Sequence, residues 1–308
     1  MNQLYRAIGT SKQAVHQEHI RQEYFYQQLG ELIPLLDVLR QEHPGCGLEK
    51  AYDTLRPDFI GRDRFIDIFM ELGYRVKFPK SYIKTTKPGS YRTENLIEGM
   101  IVNRINQVVQ SDITYIGVQG AFYYAIFIID VFSKRITGHQ VSNHMRAEAN
   151  LQALRQLIKL RGKTAMADLI HHSDRGSQYG SLAYRKLLTK LHALISMGDT
   201  AQKNAYAERV NGIIKNEYLS YWNITNFKSL KRKVKQAVDH YNLKRIHKHL
   251  PWKLSPISFE QKWPNSIELK QHKELIHNPN NFIIRSKQKQ FFKTVEQTNG
   301  LFCPVIIQ

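Results

Sequence analysis

A chain of 308 residues that is 42% hydrophobic and 11% aromatic holds enough apolar material for two or three globular domains, which excludes a disordered or collagen-like polymer. Lys and Arg number 45 against 26 Asp and Glu, a formal charge of +19; such an excess points to a polyanionic partner without naming a chemistry. Two cysteines, Cys46 and Cys303, argue against a disulfide framework or a cysteine-built zinc site, and the longest apolar run, residues 121–132, is too short to span a bilayer, so a cytoplasmic protein with no membrane partner is expected.

The first eighty residues read as helices. Apolar spacing predicts one over 16–29 and another over 30–42, stopped by His43-Pro44-Gly45. A short helix near 48–56, a turn at 57–61 and a helix over 61–73 form a helix–turn–helix, with Arg62 and Arg64 opening the helix that would enter a DNA groove. The helical, DNA-binding region is therefore set at 1–75. Residues 76–100 mix Lys, Pro, Gly, Ser and Thr without period and read as a basic linker.

From 101 the texture turns β-rich. Strands are predicted at 108–116, 121–130, 135–141, 167–173 and 193–197, with helices at 146–161, 178–191, 205–219 and 228–243. The order βββαβαβα sets a hairpin layer beside parallel strands with helices on the faces, an α/β arrangement that the ribonuclease-H-like fold has. The core is bounded at 101–263, including its basic C-terminal helix. There nine Lys or Arg lie between Lys228 and Lys253 against one acid, Asp239, and Lys231, Arg232 and Lys235 are expected to contact DNA. Residues 264–308 read as a tail or small appendage of unknown fold.

Three carboxylates stand out by position. Asp112 lies inside the first strand, where burial is costly without a compensating cation or donor. Asp174 follows the fourth strand in HHSDRGSQY, and Glu208 opens the helix NAYAERVNGIIK. If the first and fourth strands are neighbours, Asp112 and Asp174 meet and the helix brings Glu208 over them. Three oxygen ligands suit a hard cation, Mg2+ or Mn2+, and two such ions suit phosphodiester chemistry. Taken singly, each residue has a bland reading: an edge aspartate, a turn former, a helix-start acid.

ITYI after Asp112, HSDRGSQY at 172–179 and N-A-x-x-E at 204–208 resemble the transposases of insertion sequence family three, relatives of retroviral integrases. EHPGCGLEKAYDTL through MELGY at 42–74 and YNLKRIHKHLPWKLSPISF at 241–259 resemble the stretches before and after that family's catalytic core. The resemblance implies a ribonuclease-H-like integrase core in which Asp112, Asp174 and Glu208 are catalytic and bind metal. It implies metal-dependent cleavage at element ends and strand transfer by a 3′-hydroxyl. It assigns Lys215, Arg175 and Gln178 to DNA contact or loop shaping. The partners implied are terminal inverted repeats, target DNA, further copies of the chain in a synaptic multimer and an upstream-frame product, in a bacterial, nucleoid-associated setting. Competing readings are a regulator with an inactive core and a ribonuclease-H-like nuclease.

Several features depart from the family pattern. The 33 residues between Asp174 and Glu208 are fewer than usual, Lys203 stands where an acid is common, and Val-Val-Gln at 108–110 replaces a frequent Trp. Asn204 is placed to cap the Glu208 helix, Glu217 is the fallback third carboxylate, and Asp130, His171 and His172 are read as structural.

Overall fold

The computed structural model describes residues 9–76, 90–199 and 201–276. Most of the expected linker and all of the tail beyond 276 lie outside them. The chain divides into two compact units: Met1–Lys84, Ile116–Tyr123 and Asn211–Ser258 in one, and Thr85–Tyr115, Tyr124–Val210 and Phe259–Gln308 in the other.

The first unit is mainly helical. Helix α1 runs unbroken over Lys12–Glu42, where two helices were expected. Pro34 inside it forfeits a hydrogen bond to Gly30, but both residues are exposed, so water can serve the freed carbonyl. Leu29 and Leu32 before Pro34 and Leu36 after it enter one apolar cluster, which holds the helix together across the break. The cluster takes in Leu48 and Ala51 of α2 (Leu48–Leu55) and Phe65 and Phe69 of α3 (Arg62–Glu71). Arg56 turns left-handed at φ 49° to end α2, so the helix–turn–helix is formed near its expected bounds. The basic helix α7 (Phe227–Leu243) belongs to this unit as well, opened by an Asn226–Ser229 capping box.

The second unit is built on a five-stranded sheet. The two-residue strand β1 (Ile101–Val102) stands apart from β2 (Val108–Val118), β3 (Ala121–Asp130), β4 (Ile136–Ser142), β5 (Ile170–Ser173) and β6 (Leu194–Met197), which order as β4-β3-β2-β5-β6. β3 and β4 run antiparallel, whereas β2–β5 and β5–β6 are parallel. This is the hairpin-plus-parallel arrangement read from the sequence. Val109, Ile113, Ile126 and Ile128 of the sheet pack on Ala153, Leu154 and Leu157 of α4 (Ala147–Arg161) and on Tyr184 and Leu188 of α5 (Leu182–Lys190). Gly138 of β4 permits the closest approach: a Cβ there would lie 2.2 Å from the Ala153 carbonyl oxygen.

One buried ion cluster, in which Arg161 meets both Asp130 and Glu260, fixes the far end of the sheet. Asp130 accepts from the backbone of Asn106, Phe132 and Ser133, as expected of a structural aspartate. Glu260 of α8 (Pro256–Lys262) accepts from Ser133 at 2.7 Å and pairs with Arg135 and Arg161. Residues 264–276 are not loose: β7 (Glu274–Leu275) pairs antiparallel with β1, and Leu269 and Ile276 are buried. His171 donates to or accepts from Tyr184 at 2.9 Å and His172 meets Ser196 at 2.8 Å, on opposite faces of β5, so neither forms a metal pair.

A candidate carboxylate metal centre

The parallel register of β2 and β5 runs from Val108↔Ile170 to Ser111↔Ser173, so the next residues along the two strands are Asp112 and Asp174. Neighbouring strands lie about 4.8 Å apart, which places the two aspartates side by side at the sheet's end. Both are half-buried. Burial raises the Asp174 carboxyl above its usual range, against the single backbone N–H of Gly176 that donates to it at 3.0 Å.

Glu208 lies in the first turn of α6 (Ala205–Ile213) with its side chain exposed. Its carboxyl is also raised, first by partial desolvation and then by the charge of Asp174, whose field therefore reaches it. Tyr179 completes the set. Its hydroxyl hydrogen-bonds Ser111 at 2.9 Å, and its pKa is pushed well up by burial and by the charges of Asp112 and Asp174.

The start of α6 is fixed by groups that sequence reasoning missed. Gln110, on the strand that carries Asp112, accepts from the backbone N–H of Tyr206 at 3.0 Å and Ala207 at 3.4 Å. Gln110 thus does the capping expected of Asn204. The Asn204 amide instead donates to the Ser111 carbonyl at 2.9 Å, and its own buried Oδ1 has no partner among the described residues. Both contacts tie the Glu208 helix to the Asp112 strand. A buried glutamine in a strand was their only sequence signal.

These acids suit a hard divalent cation. Among the described residues, no Lys, Arg or His pairs with Asp174 or Glu208, and both carboxyls are raised rather than lowered. Like charges gathered without a counter-ion are costly, and a cation removes the cost. Among the described residues, no three His, Cys, Asp or Glu side chains form a ready-made cage.

The fallback carboxylate, Glu217, is placed quite differently. It lies in the π-turn Ile214–Tyr218, hydrogen-bonded to His43 Nε2 at 2.6 Å and flanked by two cations, Lys50 through Nζ at 3.0 Å and Arg245 through Nε at 2.9 Å and Nη2 at 2.8 Å. Hydrogen bonds and these charges outweigh desolvation and hold its carboxyl far below the usual range. Glu217 is therefore a structural hub of the first unit.

The expected DNA contacts are scattered. Gln178 is buried and donates to the Met145 carbonyl at 3.1 Å, so it shapes the loop after Asp174 and does not face DNA. Arg175 is partly exposed near Asp199, at 3.9 Å. In the first unit Arg62 pairs with Asp63, and the Arg64 guanidinium lies 4.3 Å over the Phe25 ring. Lys231, Arg232 and Lys235 are exposed on the basic helix, with Lys235 bonded to Asp239, and Lys215 lies in the π-turn.

Comparison with known proteins gives matches to two integrase core domain families, over residues 102–203 and 191–254. The transposase of insertion sequence element IS629 from Shigella sonnei is 36% identical over 49% of this chain and 50% of its own length. An uncharacterized 31 kDa protein of insertion element IS600, also from Shigella sonnei, is 31% identical over 66% of this chain and 76% of its own. The transposase InsF of insertion sequence IS3A from Escherichia coli is 28% identical over 62% and 67%. The match thus spans half of the first relative and three quarters of the second. The HTLV-2 integrase catalytic core domain in complex with magnesium aligns at 21% identity and a TM-score of 0.41, over 54% of this chain and 98% of its own. No helix among the described residues is long and apolar enough to cross a membrane.

Proposed function

The chain belongs to the integrase-core transposases of insertion sequences, and from that premise we propose that it cuts DNA at the ends of its own element and joins the freed 3′-hydroxyl to target DNA. Asp112, Asp174 and Glu208 would hold Mg2+ or Mn2+, two ions in the full site. When bound, such ions supply Lewis acidity to a phosphodiester and to the oxygen that attacks it. The chain's own residues do the placing. Ser111 and Tyr179 buttress the strand end beside Asp112, and Gln110 and Asn204 fix the helix that bears Glu208. No side chain need form a covalent link to DNA, because hydrolysis and transesterification both proceed by oxygen attack on phosphorus.

Charge serves the substrate. Arg62 and Arg64 on the helix–turn–helix would read or grip the terminal inverted repeat, and Arg175, Lys215, Lys231, Arg232 and Lys235 would hold phosphates. Two ends must be joined in one event, so the working form is a multimer of this chain, with an upstream-frame product as a further partner. The domain bounds proposed for the whole protein are a helix–turn–helix region to about residue 75, a basic linker to 100 and an integrase core to 263, with Asp112 and Asp174 on the central strands β2 and β5 of its sheet.

One observation carries the reading: inside an integrase core, burial raises Asp174, and partial desolvation and then the charge of Asp174 raise Glu208, with no ion pair to either among the described residues and with Asp112 beside Asp174. The test is incubation with a labelled terminal-repeat duplex and Mg2+ or Mn2+. Strand-transfer products that vanish in Asp174→Asn are expected. DNA binding without cleavage in any divalent metal would show an inactive-core regulator instead, and selective degradation of an RNA–DNA hybrid would show a ribonuclease.

A further inference from the structure

The chain continues past the two integrase-core matches, which end at residue 254, and the segment beyond them reaches the helix that bears Glu208. Residues 259–276 are anchored in the second unit from several sides. Leu269 and Ile276 are buried, β7 pairs with β1, and the His272 ring lies 5.2 Å from that of Phe132 and 5.5 Å from that of Phe259. From this anchorage Glu274 Oε2 accepts a hydrogen bond from the Tyr206 hydroxyl at 3.0 Å. Its other oxygen, Oε1, pairs with Lys134 Nζ at 2.9 Å and lies 3.2 Å from His272 Nε2. Lys134 is 6% exposed; its Nζ lies 4.2 Å from the centre of the Tyr206 ring and donates to the Val131 carbonyl at 2.7 Å. Tyr206 is thus held by its ring, by its hydroxyl and, through Gln110, by its backbone N–H.

Tyr206 stands two residues before Glu208, and on a helix the two flank Ala207, each about 100° round the axis from it. Ala207 and Val210, each 1% exposed, are the buried apolar contacts of this stretch, and apolar burial has no preferred direction. A roll of the helix by about 20° would carry a carboxylate about 6 Å from its axis through about 2 Å. Misplacement of about 1 Å at a reacting centre can cost about a hundredfold in rate. The hydrogen bond and ion pair on the opposite flank are directional, so they fix the roll that the apolar contacts leave free. Stability alone gives no reason for them, because a buried ion pair is often no better than apolar groups of similar volume.

We propose that Glu274 is a positioning residue of the carboxylate site: through the Tyr206 hydroxyl it fixes the roll of α6, and with it the direction in which Glu208 presents its carboxylate to Asp174. Lys134 supports it from below, as the charge that holds Glu274 in place and as the cation under the Tyr206 ring. The inference rests on the reading of Glu208 as a metal-binding acid. It goes beyond that reading in making a segment outside the integrase-core matches part of the site's framework.

The test begins with amide hydrogen exchange of the full chain in EDTA, which needs neither metal nor DNA. In Tyr206→Phe, exchange over residues 205–210 should speed up about tenfold, the loss of one hydrogen bond to a charged group, and over 147–161 it should not change. That variant keeps the ring over Lys134 and the Lys134–Glu274 pair, so it probes the hydroxyl alone. Glu274→Ala should speed the same residues at least as much. Tyr206→Phe/Glu274→Ala should add nothing to Glu274→Ala, because both changes break one link. In strand transfer with Mg2+, Tyr206→Phe should lower kcat by about tenfold and leave KM for the terminal-repeat duplex within about twofold, a split that general destabilisation does not produce. Unchanged exchange over 205–210 in Tyr206→Phe, equal speeding over 147–161, additive effects in the double variant, or full kcat despite faster exchange would each overturn the proposal. Failure of the wild-type chain to transfer strands with any divalent metal would overturn the functional reading instead, and the exchange measurements would still decide whether Glu274 fixes the helix.

Discussion

Glu217 and the pair Asp174–Glu208 are acids of one chain in opposite situations. Glu217 sits among His43, Lys50 and Arg245 and is held far below the usual carboxylate range. Asp174 and Glu208 are raised, with no ion pair among the described residues. Glu260, gripped by Arg135 and Arg161, behaves like Glu217. The sequence can therefore supply arginine and lysine wherever an acid serves packing. At Asp174 and Glu208 it does not, which is the expected pattern where the compensating charge comes from outside the chain.

Removing the charge of each acid should separate the two situations. Asp174→Asn is expected to lower strand transfer by at least about a thousandfold, while leaving the metal-free protein as stable as wild type or slightly more so, because an uncompensated charge has gone. Gel-resolved transfer products and a urea melt in EDTA check both halves. Glu217→Ala should do the reverse to stability: it leaves Lys50 and Arg245 facing each other without a counter-charge, a loss of about 3–5 kcal/mol. Equal stability losses in the two variants would erase the distinction.

The pH dependence sharpens it further. Burial holds His43 down to about 4 from a usual 6.5, even beside Glu217. His43 is therefore neutral at pH 7 and donates a hydrogen bond from Nε2 to the Glu217 carboxylate. Between about 6.5 and 4 the unfolded chain takes up a proton that the folded chain refuses. Stability should thus fall as the pH drops through that window, by up to about 3 kcal/mol for His43. Glu217 adds a loss that begins only below its usual value near 4.5, because its folded carboxyl stays ionised where the unfolded one protonates. His43→Gln should reduce the slope between pH 6.5 and 4.5 in denaturant titrations by the share of one histidine, leaving the shares of His171, His172 and His240, which burial also holds down, and the fall below that window.

The parts of this comparison were unequally legible in the sequence. Strand order and the placing of Asp112 beside Asp174 could be read because each rests on local pattern: alternating β-rich runs, and a long motif at the end of a strand. The Glu217 hub could not, because its partners His43 and Arg245 lie 174 and 28 residues away, and nothing near Glu217 marks it as claimed. Gln110 went unnoticed for the same reason: its task is to cap a helix that begins 95 positions later. Gln178, inside a motif that suggests DNA, spends its amide on the Met145 carbonyl. A motif shows which residues belong together, while only packing shows which of them face outward. The break expected between 29 and 30 failed in the other direction: Leu29, Leu32 and Leu36 share one cluster, and a single helix runs through it with Pro34 inside.

The smallest effect bears most directly on the difference between the two situations. If Asp112, Asp174 and Glu208 await a cation, Mg2+ or Mn2+ should stabilise the folded chain by mass action, about 1–3 kcal/mol at concentrations ten to a hundred times the dissociation constant. Ca2+ should stabilise without supporting strand transfer if oxygen ligation alone sets affinity. The shift should shrink sharply in Asp174→Asn and in Glu208→Gln, because each removes an oxygen charge from the set. It should persist in His43→Gln, which perturbs only the acid that already has its cations. A shift of equal size in all three variants would mean that the ion binds elsewhere, and the raised carboxyls of Asp174 and Glu208 would then need another explanation.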